Sequence, residues 1–209
     1  MHVIRDNFFK NPDKILEWAN SLEYVENNNN YPGRRTEELH EVDPEFYHQT
    51  VQKIMMLLTD KGYEYNISMH FQKVPEVWGD GVIHSDGHYN AIIYFNKNDN
   101  AGTSLYRIKD RYGYNPPNYG IIREGFESDN PNKVNIEKEK IRDTFEKTLD
   151  VKGLYNRLFL FDGCEFHGAN SFKLENSKEN EERLILVMFF HKIAYKDLSP
   201  DAKLAGTYI

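Results

Sequence analysis

Three residues in this 209-residue chain have the types and spacing to hold one metal ion. His84 and Asp86 stand two apart in the segment His84-Ser85-Asp86, just before the apolar run Ala91 to Asn96. Side chains two apart on an extended segment point to the same side, so both can reach one cation. A third ligand is available from His167, which follows the apolar run Arg157 to Phe161. Two imidazoles and one carboxylate on one face of an octahedral ion leave three positions open, the arrangement suited to Fe(II) and oxygen chemistry. His-x-Asp alone is a weak signal. With eight histidines and fourteen aspartates in 209 residues, chance supplies about half an occurrence. His88 competes through the reversed spacing Asp86-Gly87-His88. A fourth residue adds weight: Arg183 heads the run LILVMFF, where a buried cation needs an anionic partner or costs several kcal/mol. The plain alternative for Arg183 is a strand-edge salt bridge with Glu181 or Glu182.

Positioning such residues requires strands. Tyr65 to Val74, Ala91 to Asn96, Thr103 to Ile108, Arg157 to Phe161 and Arg183 to His191 read as strands, with turn residues Asn98 to Gly102 between the second and third. Two helices precede them. Asn11 with Pro12 predicts a helix start before Ile15, Leu16, Ala19 and Leu22. Asp43-Pro44 predicts a second, closed by Lys61-Gly62. The simplest role for both is to cover one face of a sheet. Asn135 to Leu149 reads as a charged helix with Ile136, Ile141, Phe145 and Leu149 on one stripe. Residues Lys109 to Asn132, rich in Gly, Pro, Tyr and Asn, read as a loop or lid, with Arg107, Lys109, Arg111, Arg123, Tyr112, Tyr114 and Tyr119 as candidates to line a substrate path. The order of helices followed by many strands predicts a mainly β protein with helical cover.

Composition narrows the function. The length suits one domain over residues 1–209: helical support over 1–62, a β core over 63–193 with an insertion at 109–150, and a tail over 194–209. A net charge of −7 argues against nucleic acid as the main partner. No apolar run reaches the ~18 residues of a membrane span, and no signal peptide is visible. Cys164 is the lone cysteine, so neither a disulfide nor a Cys-x-x-Cys zinc site is available. The expectation is a cytoplasmic protein in a reducing compartment.

The order His84-x-Asp86, AIIYFN, Gly102-Thr103, His167, Arg183 resembles the iron(II)/2-oxoglutarate-dependent dioxygenases, most of all the prolyl 4-hydroxylase-like branch. The segment GVIHSDGHYNAIIYFNKNDNAGTSLY is similar to that branch's metal-ligand strand and the turn after it, and Tyr31 to Thr36 (YPGRRT) resembles a segment of small bacterial and phage relatives. The likeness covers Tyr65 to His191 and implies a double-stranded β-helix, the cupin-like jelly roll. It implies Fe(II) held by His84, Asp86 and His167, 2-oxoglutarate and O2 as cosubstrates, and ascorbate as reductant. It implies Arg183 on the distal carboxylate of 2-oxoglutarate, with the Tyr94 hydroxyl assisting; the alternative for Tyr94 is a core aromatic. The implied reaction is hydroxylation of an unactivated C–H bond, in a prolyl or other side chain of a protein or in a free small molecule, with release of succinate and CO2. Asp86, where halogenating relatives have Gly or Ala, points to hydroxylation. One departure is the sixteen-residue step from His167 to Arg183, longer than usual for the family, with the excess in a polar hairpin over Leu174 to Glu182. Lys173 is the fallback for Arg183 if the register differs. Ser85 and His88 are open as outer-shell groups, and self-association is compatible with the composition. The rival readings are a non-catalytic jelly-roll binding module and a cupin-type metalloenzyme without 2-oxoglutarate.

Overall fold

The structure is a computed structural model that describes residues 2–26, 31–59, 62–97, 101–109, 131–175 and 181–195. Ten strands are present among them: β1 (His2–Arg5), β2 (Val25–Glu26), β3 (Arg34–Arg35), β4 (Tyr63–Val74), β5 (Tyr89–Tyr94), β6 (Thr103–Ile108), β7 (Phe145–Val151), β8 (Leu158–Asp162), β9 (Phe166–Ala169) and β10 (Arg183–Tyr195). Four α-helices join them: α1 (Pro12–Ser21), α2 (Leu39–Val42), α3 (Pro44–Leu58) and α4 (Pro131–Arg142). Two sheets form, ordered β1-β8-β5-β10-β4-β3-β2 and β7-β6-β9, and the neighbouring strands in each run antiparallel. The extended segment 81–84 runs beside β9, where the Gly81 amide donates to the Ala169 carbonyl (2.9 Å) and the His84 amide to that of His167 (2.9 Å). The result is a jelly-roll β-sandwich with helices on one outer face.

Alternation along the central strands explains why they look continuously apolar. On β10, Leu184, Leu186, Met188 and Phe190 face the helices, packing with Ala19, Val51, Ile54 and Met55. Ile185 and Val187 face the space between the sheets, beside Ile92, Tyr94, Leu105, Phe159 and Phe161. Both faces are covered, so the period-two signal is filled in at every position.

Helix ends follow partly from the sequence. Asp43 caps α3 by accepting from the Phe46 amide (2.9 Å), while Pro12 opens α1 without a cap hydrogen bond from the Asn11 side chain. Helix α3 ends at Leu58, where Thr59 turns extended and its amide closes on the Met55 carbonyl, so Gly62 is not its cap; Lys61 lies outside the described residues. The expected helix over 135–149 is corrected. Helix α4 stops at Arg142, and Phe145 to Val151 form β7. Ile141, Phe145 and Leu149 fit a helical stripe, yet Phe145, Leu149 and Val151 fit alternation equally well. Pairing of β7 with β6 decides between them. Strand β10 also runs through Tyr195, past the expected tail boundary at 194.

Lys138 ties α4 to the segment that carries the site. Its ammonium donates to the carbonyls of Trp78 (2.5 Å) and Asp80 (2.5 Å) and to the Asn135 side chain (3.1 Å), and burial pulls its pKa down to about 7. Lys138→Met keeps the stem and strands two carbonyls. It is expected to destabilise the protein by about 2–4 kcal/mol in urea unfolding.

Candidate active site

Each candidate ligand is placed by backbone pairing. His84 sits at the end of the extended segment 81–84, and His167 sits on β9. The two form an antiparallel bridge, each amide donating to the other's carbonyl (2.9 and 2.8 Å). Their rings lie 4.4 Å apart by centroid. Asp86 follows two residues later, its amide donating to the Gly163 carbonyl (2.8 Å). Its Oδ2 is 3.7 Å from His84 Nε2 and 3.3 Å from His167 Nε2. One donor atom from each of the three residues falls within 4.8 Å of the others.

The hydrogen bonds behind these atoms fix their orientation. His84 Nδ1 contacts the Val82 carbonyl (2.9 Å), and His167 Nδ1 contacts that of Glu165 (2.8 Å). A carbonyl only accepts, so each Nδ1 carries the proton and each Nε2 offers its lone pair to the centre. Asn90 donates to Asp86 Oδ2 (2.6 Å) and holds the carboxylate in place. Electrostatics agree. Burial alone would raise the Asp86 pKa, but the two imidazoles hold it well below the usual carboxylate range. Desolvation lowers His84, but the hydrogen bond and charge of Asp86 override it and raise its pKa. Burial lowers His167, and the charge of His84 lowers it further. Asp86 therefore stays ionised and His84 takes the first proton.

A cavity of about 490 Å³ opens from these residues into the space between the sheets. Arg183 lines it from the start of β10 and is 2% exposed. Its Nε donates to the Ala101 carbonyl (2.9 Å), while one terminal nitrogen is buried with no hydrogen-bond partner. Burial pushes its pKa down to about 10. The strand-edge alternative fails, because Glu182 pairs with Arg34 (2.5 Å) and Glu181 accepts from Asn96. The buried hydroxyls of Tyr94 and Thr103 also have no partner; Thr103 lines the cavity, and the Arg183 guanidinium lies 5.6 Å from the Tyr94 ring centre. Burial raises the Tyr94 pKa. The divided reading of Tyr94 is met halfway: it packs among core aromatics and still presents an unsatisfied hydroxyl beside Arg183.

Other candidates fall elsewhere. Lys173 is at the surface, 3.7 Å from Glu76, because the chain between β9 and β10 leaves Arg183 in register with Val74. Ser85 and His88 are exposed, and His88 takes a positive φ of 59° that turns the chain into β5. Arg107 pairs with Glu146 at the surface, and Lys109 donates to the Asp143 carbonyl. Arg111, Tyr112, Tyr114, Tyr119 and Arg123 lie outside the described residues, as does part of the polar hairpin (176–180). Asn90, Gln72, Arg35 and Phe172 line the cavity and were not singled out by sequence reasoning. The four-residue step from Asp86 to Asn90 was the available signal for the first; YPGRRT held Arg35 without indicating its role.

Comparisons with known proteins agree with the architecture. The model of DUF6445, described as a family of unknown function, matches residues 1–190. No curated protein matches the sequence. Among solved structures, HygX from Streptomyces hygroscopicus with nickel, 2-oxoglutarate and hygromycin B bound is similar at 11% identity, over 90% of this chain and 81% of that one, with a TM-score of 0.56. HygX with nickel and 2-oxoglutarate bound is similar at 12% identity over the same shares, with a TM-score of 0.54. The non-heme alpha ketoglutarate dependent epimerase SnoN from nogalamycin biosynthesis is similar at 11% identity, over 94% and 81%, with a TM-score of 0.51. These likenesses are in fold.

Proposed function

We propose that this chain, which belongs to the DUF6445 family, is an Fe(II)- and 2-oxoglutarate-dependent oxygenase that hydroxylates an unactivated C–H bond. The observation that carries the reading is the pairing, in one cavity, of the His84–Asp86–His167 cluster with a buried guanidinium that lacks an anionic partner. Structural neighbours that hold nickel with 2-oxoglutarate support it through shared fold.

The residues fit these groups by their chemistry. Two imidazoles with free Nε2 lone pairs and one ionised carboxylate suit Fe(II) and leave three positions open. Arg183, with the Tyr94 ring near its guanidinium and Thr103 in the same cavity wall, suits a carboxylate, since a planar fork makes two charge-assisted hydrogen bonds. Iron with 2-oxoglutarate and O2 supplies the oxidising power for oxygen insertion, releasing succinate and CO2. The chain supplies position. The Val82 and Glu165 carbonyls keep both rings facing inward, and Asn90 keeps the carboxylate there. Ile92, Ile185, Val187 and Phe172 wall the cavity and exclude water from the space between the ligands and Arg183. Because Asp86 fills its position with a carboxylate, a halide has no place among the protein ligands, and hydroxylation is the favoured outcome.

The test is an anaerobic titration with Fe(II) and 2-oxoglutarate, followed by a succinate assay on admission of oxygen. Saturable binding of both, then succinate, is expected; binding of neither would end the proposal. A pH dependence accompanies it. The pKa of His84 is raised by Asp86, so its proton competes with the ion to a higher pH than for an ordinary imidazole. Apparent Fe(II) affinity is therefore expected to climb by up to about tenfold per pH unit until His84 is neutral, then level off. Calorimetry in buffers of different ionisation enthalpy checks this as proton release on binding.

A further inference from the structure

The cavity has a second, half-buried cation whose place in the site is not explained by the groups above. Arg35, on the short strand β3, lines the same cavity. Gly33 makes its approach possible: φ is +74°, and a Cβ there would sit 2.1 Å from the Lys73 carbonyl oxygen. Strand β3 thereby pairs with β4, Arg35 opposite Gln72.

The guanidinium is held in a set orientation. Its Nε donates to Gln72 Oε1 (3.2 Å), and Gln72 donates in turn to the Pro32 carbonyl (2.8 Å). Its central carbon lies 3.6 Å from the Tyr31 ring centre and 5.0 Å from that of Phe189. Nε is tied back and the faces meet aromatic rings, which leaves the edge of the two terminal amino groups to meet a ligand. Burial draws its pKa down to about 10, partly offset by Tyr31, Asp86 and Glu38. Glu38 is otherwise engaged, accepting from the Met69 amide (3.1 Å) and lying 3.3 Å from His70 Nε2.

Arg35 and Arg183 have different surroundings: the Arg183 guanidinium lies 5.6 Å from the Tyr94 and Phe172 ring centres, whereas Arg35, opposite Gln72 and so level with Ile185, reaches towards Phe189 and feels the charge of Asp86. On the oxygenase reading above, on which this inference rests, a divalent ion and a doubly charged oxoacid cancel, Asp86 offsets one guanidinium, and one positive charge is left among the lining groups.

We propose that Arg35 receives a carboxylate of the primary substrate, with Tyr31 and Phe189 flanking it, so that the enzyme acts on an organic acid and not on a neutral molecule. The planar, pre-oriented fork selects a carboxylate over a neutral amide because only the anion makes both charge-assisted bonds.

The probe is benzoate, whose flat ring suits Tyr31 and Phe189, against benzamide as its neutral isostere. Both are titrated anaerobically into protein saturated with Fe(II) and 2-oxoglutarate, so that the metal and Arg183 are already engaged, with calorimetry and the visible absorption of the complex as readouts. Wild type is expected to bind benzoate at least tenfold tighter than benzamide. Arg35→Gln is expected to weaken benzoate at least tenfold and leave benzamide unchanged. Arg35→Lys, which keeps the charge, is expected to fall between, and equal melting temperatures of the two variants separate binding from folding. Benzoate binding that is indifferent to Arg35→Gln, or absent from wild type up to about 10 mM, overturns the proposal. So does a tenfold loss of 2-oxoglutarate affinity in Arg35→Gln, which would assign Arg35 to the cosubstrate. Failure of wild type to take up 2-oxoglutarate sinks the oxygenase reading instead, and benzoate titration of the protein alone then still tests Arg35.

Discussion

Fe(II) affinity in His167→Ala is expected to fall at least 100-fold, about 3 kcal/mol, and succinate release with it. His167 is the most enclosed of the three candidate ligands, with a side chain 5% exposed against 42% for His84 and 29% for Asp86. Its ring is wedged between the His84 ring and the edge of Phe161, whose centroid is 4.7 Å away. Water entering the vacated space could take the empty position but would not offer an oriented imidazole lone pair. The loss should therefore exceed the 10–100-fold that outer groups carry. Asn90→Ala, which removes such an outer group from Asp86, supplies the comparison. Metal competition against a coloured chelator under anaerobic conditions reads both variants. Equal small losses in the two would show that the ion sits elsewhere.

The second large effect has opposite signs for binding and for stability. Arg183→Met is expected to weaken 2-oxoglutarate about 100-fold or more, because a bidentate, charge-assisted contact in a dry site is worth several kcal/mol. The same change is expected to stabilise the protein without cosubstrate by about 1–4 kcal/mol. Arg183 holds a buried charge with one backbone carbonyl partner and one terminal nitrogen unsatisfied. Methionine fills similar volume among Phe172, Ile185 and Tyr94 at no desolvation cost. Urea denaturation with and without 2-oxoglutarate, on metal-loaded protein, reads both halves. Wild type should gain stability from the oxoacid and the variant should not. A variant that loses stability without cosubstrate would mark Arg183 as a structural cation and remove the anchor for the distal carboxylate.

The residues that can be read locally were the ones that announced themselves. His84 and Asp86 are two apart, and extended backbone alone puts them on one side. Helix α3 shows its start in Asp43-Pro44. Strands β5 and β10 are so apolar that no other assignment suits them. What stayed hidden depends on pairing between distant segments. Strand β1 owes its place to register with β8, from His2 opposite Phe161 to Arg5 opposite Leu158, and its four residues HVIR carry too short a pattern to declare it. Phe145 to Val151 satisfied two periodicities, and only β6 chose between them. Arg35 stands beside Arg34 in YPGRRT, and nothing local distinguishes the two. Its neighbour Arg34 meets Glu182, whereas Arg35 turns inward because strand residues alternate sides. The sequence carries that alternation, but not which side is the cavity.

The bridge between His84 and His167 has a consequence for how the family can vary. Two residues 83 positions apart are held together by a reciprocal pair of amide bonds, so their separation is a property of the ladder and not of the chain between them. The loops between the strands of that interval may lengthen, shorten or diverge without moving the imidazoles, provided β6 still pairs with β9 and the two short edges still zip. Change in what the cavity accepts is thereby uncoupled from preservation of the His84–Asp86–His167 cluster.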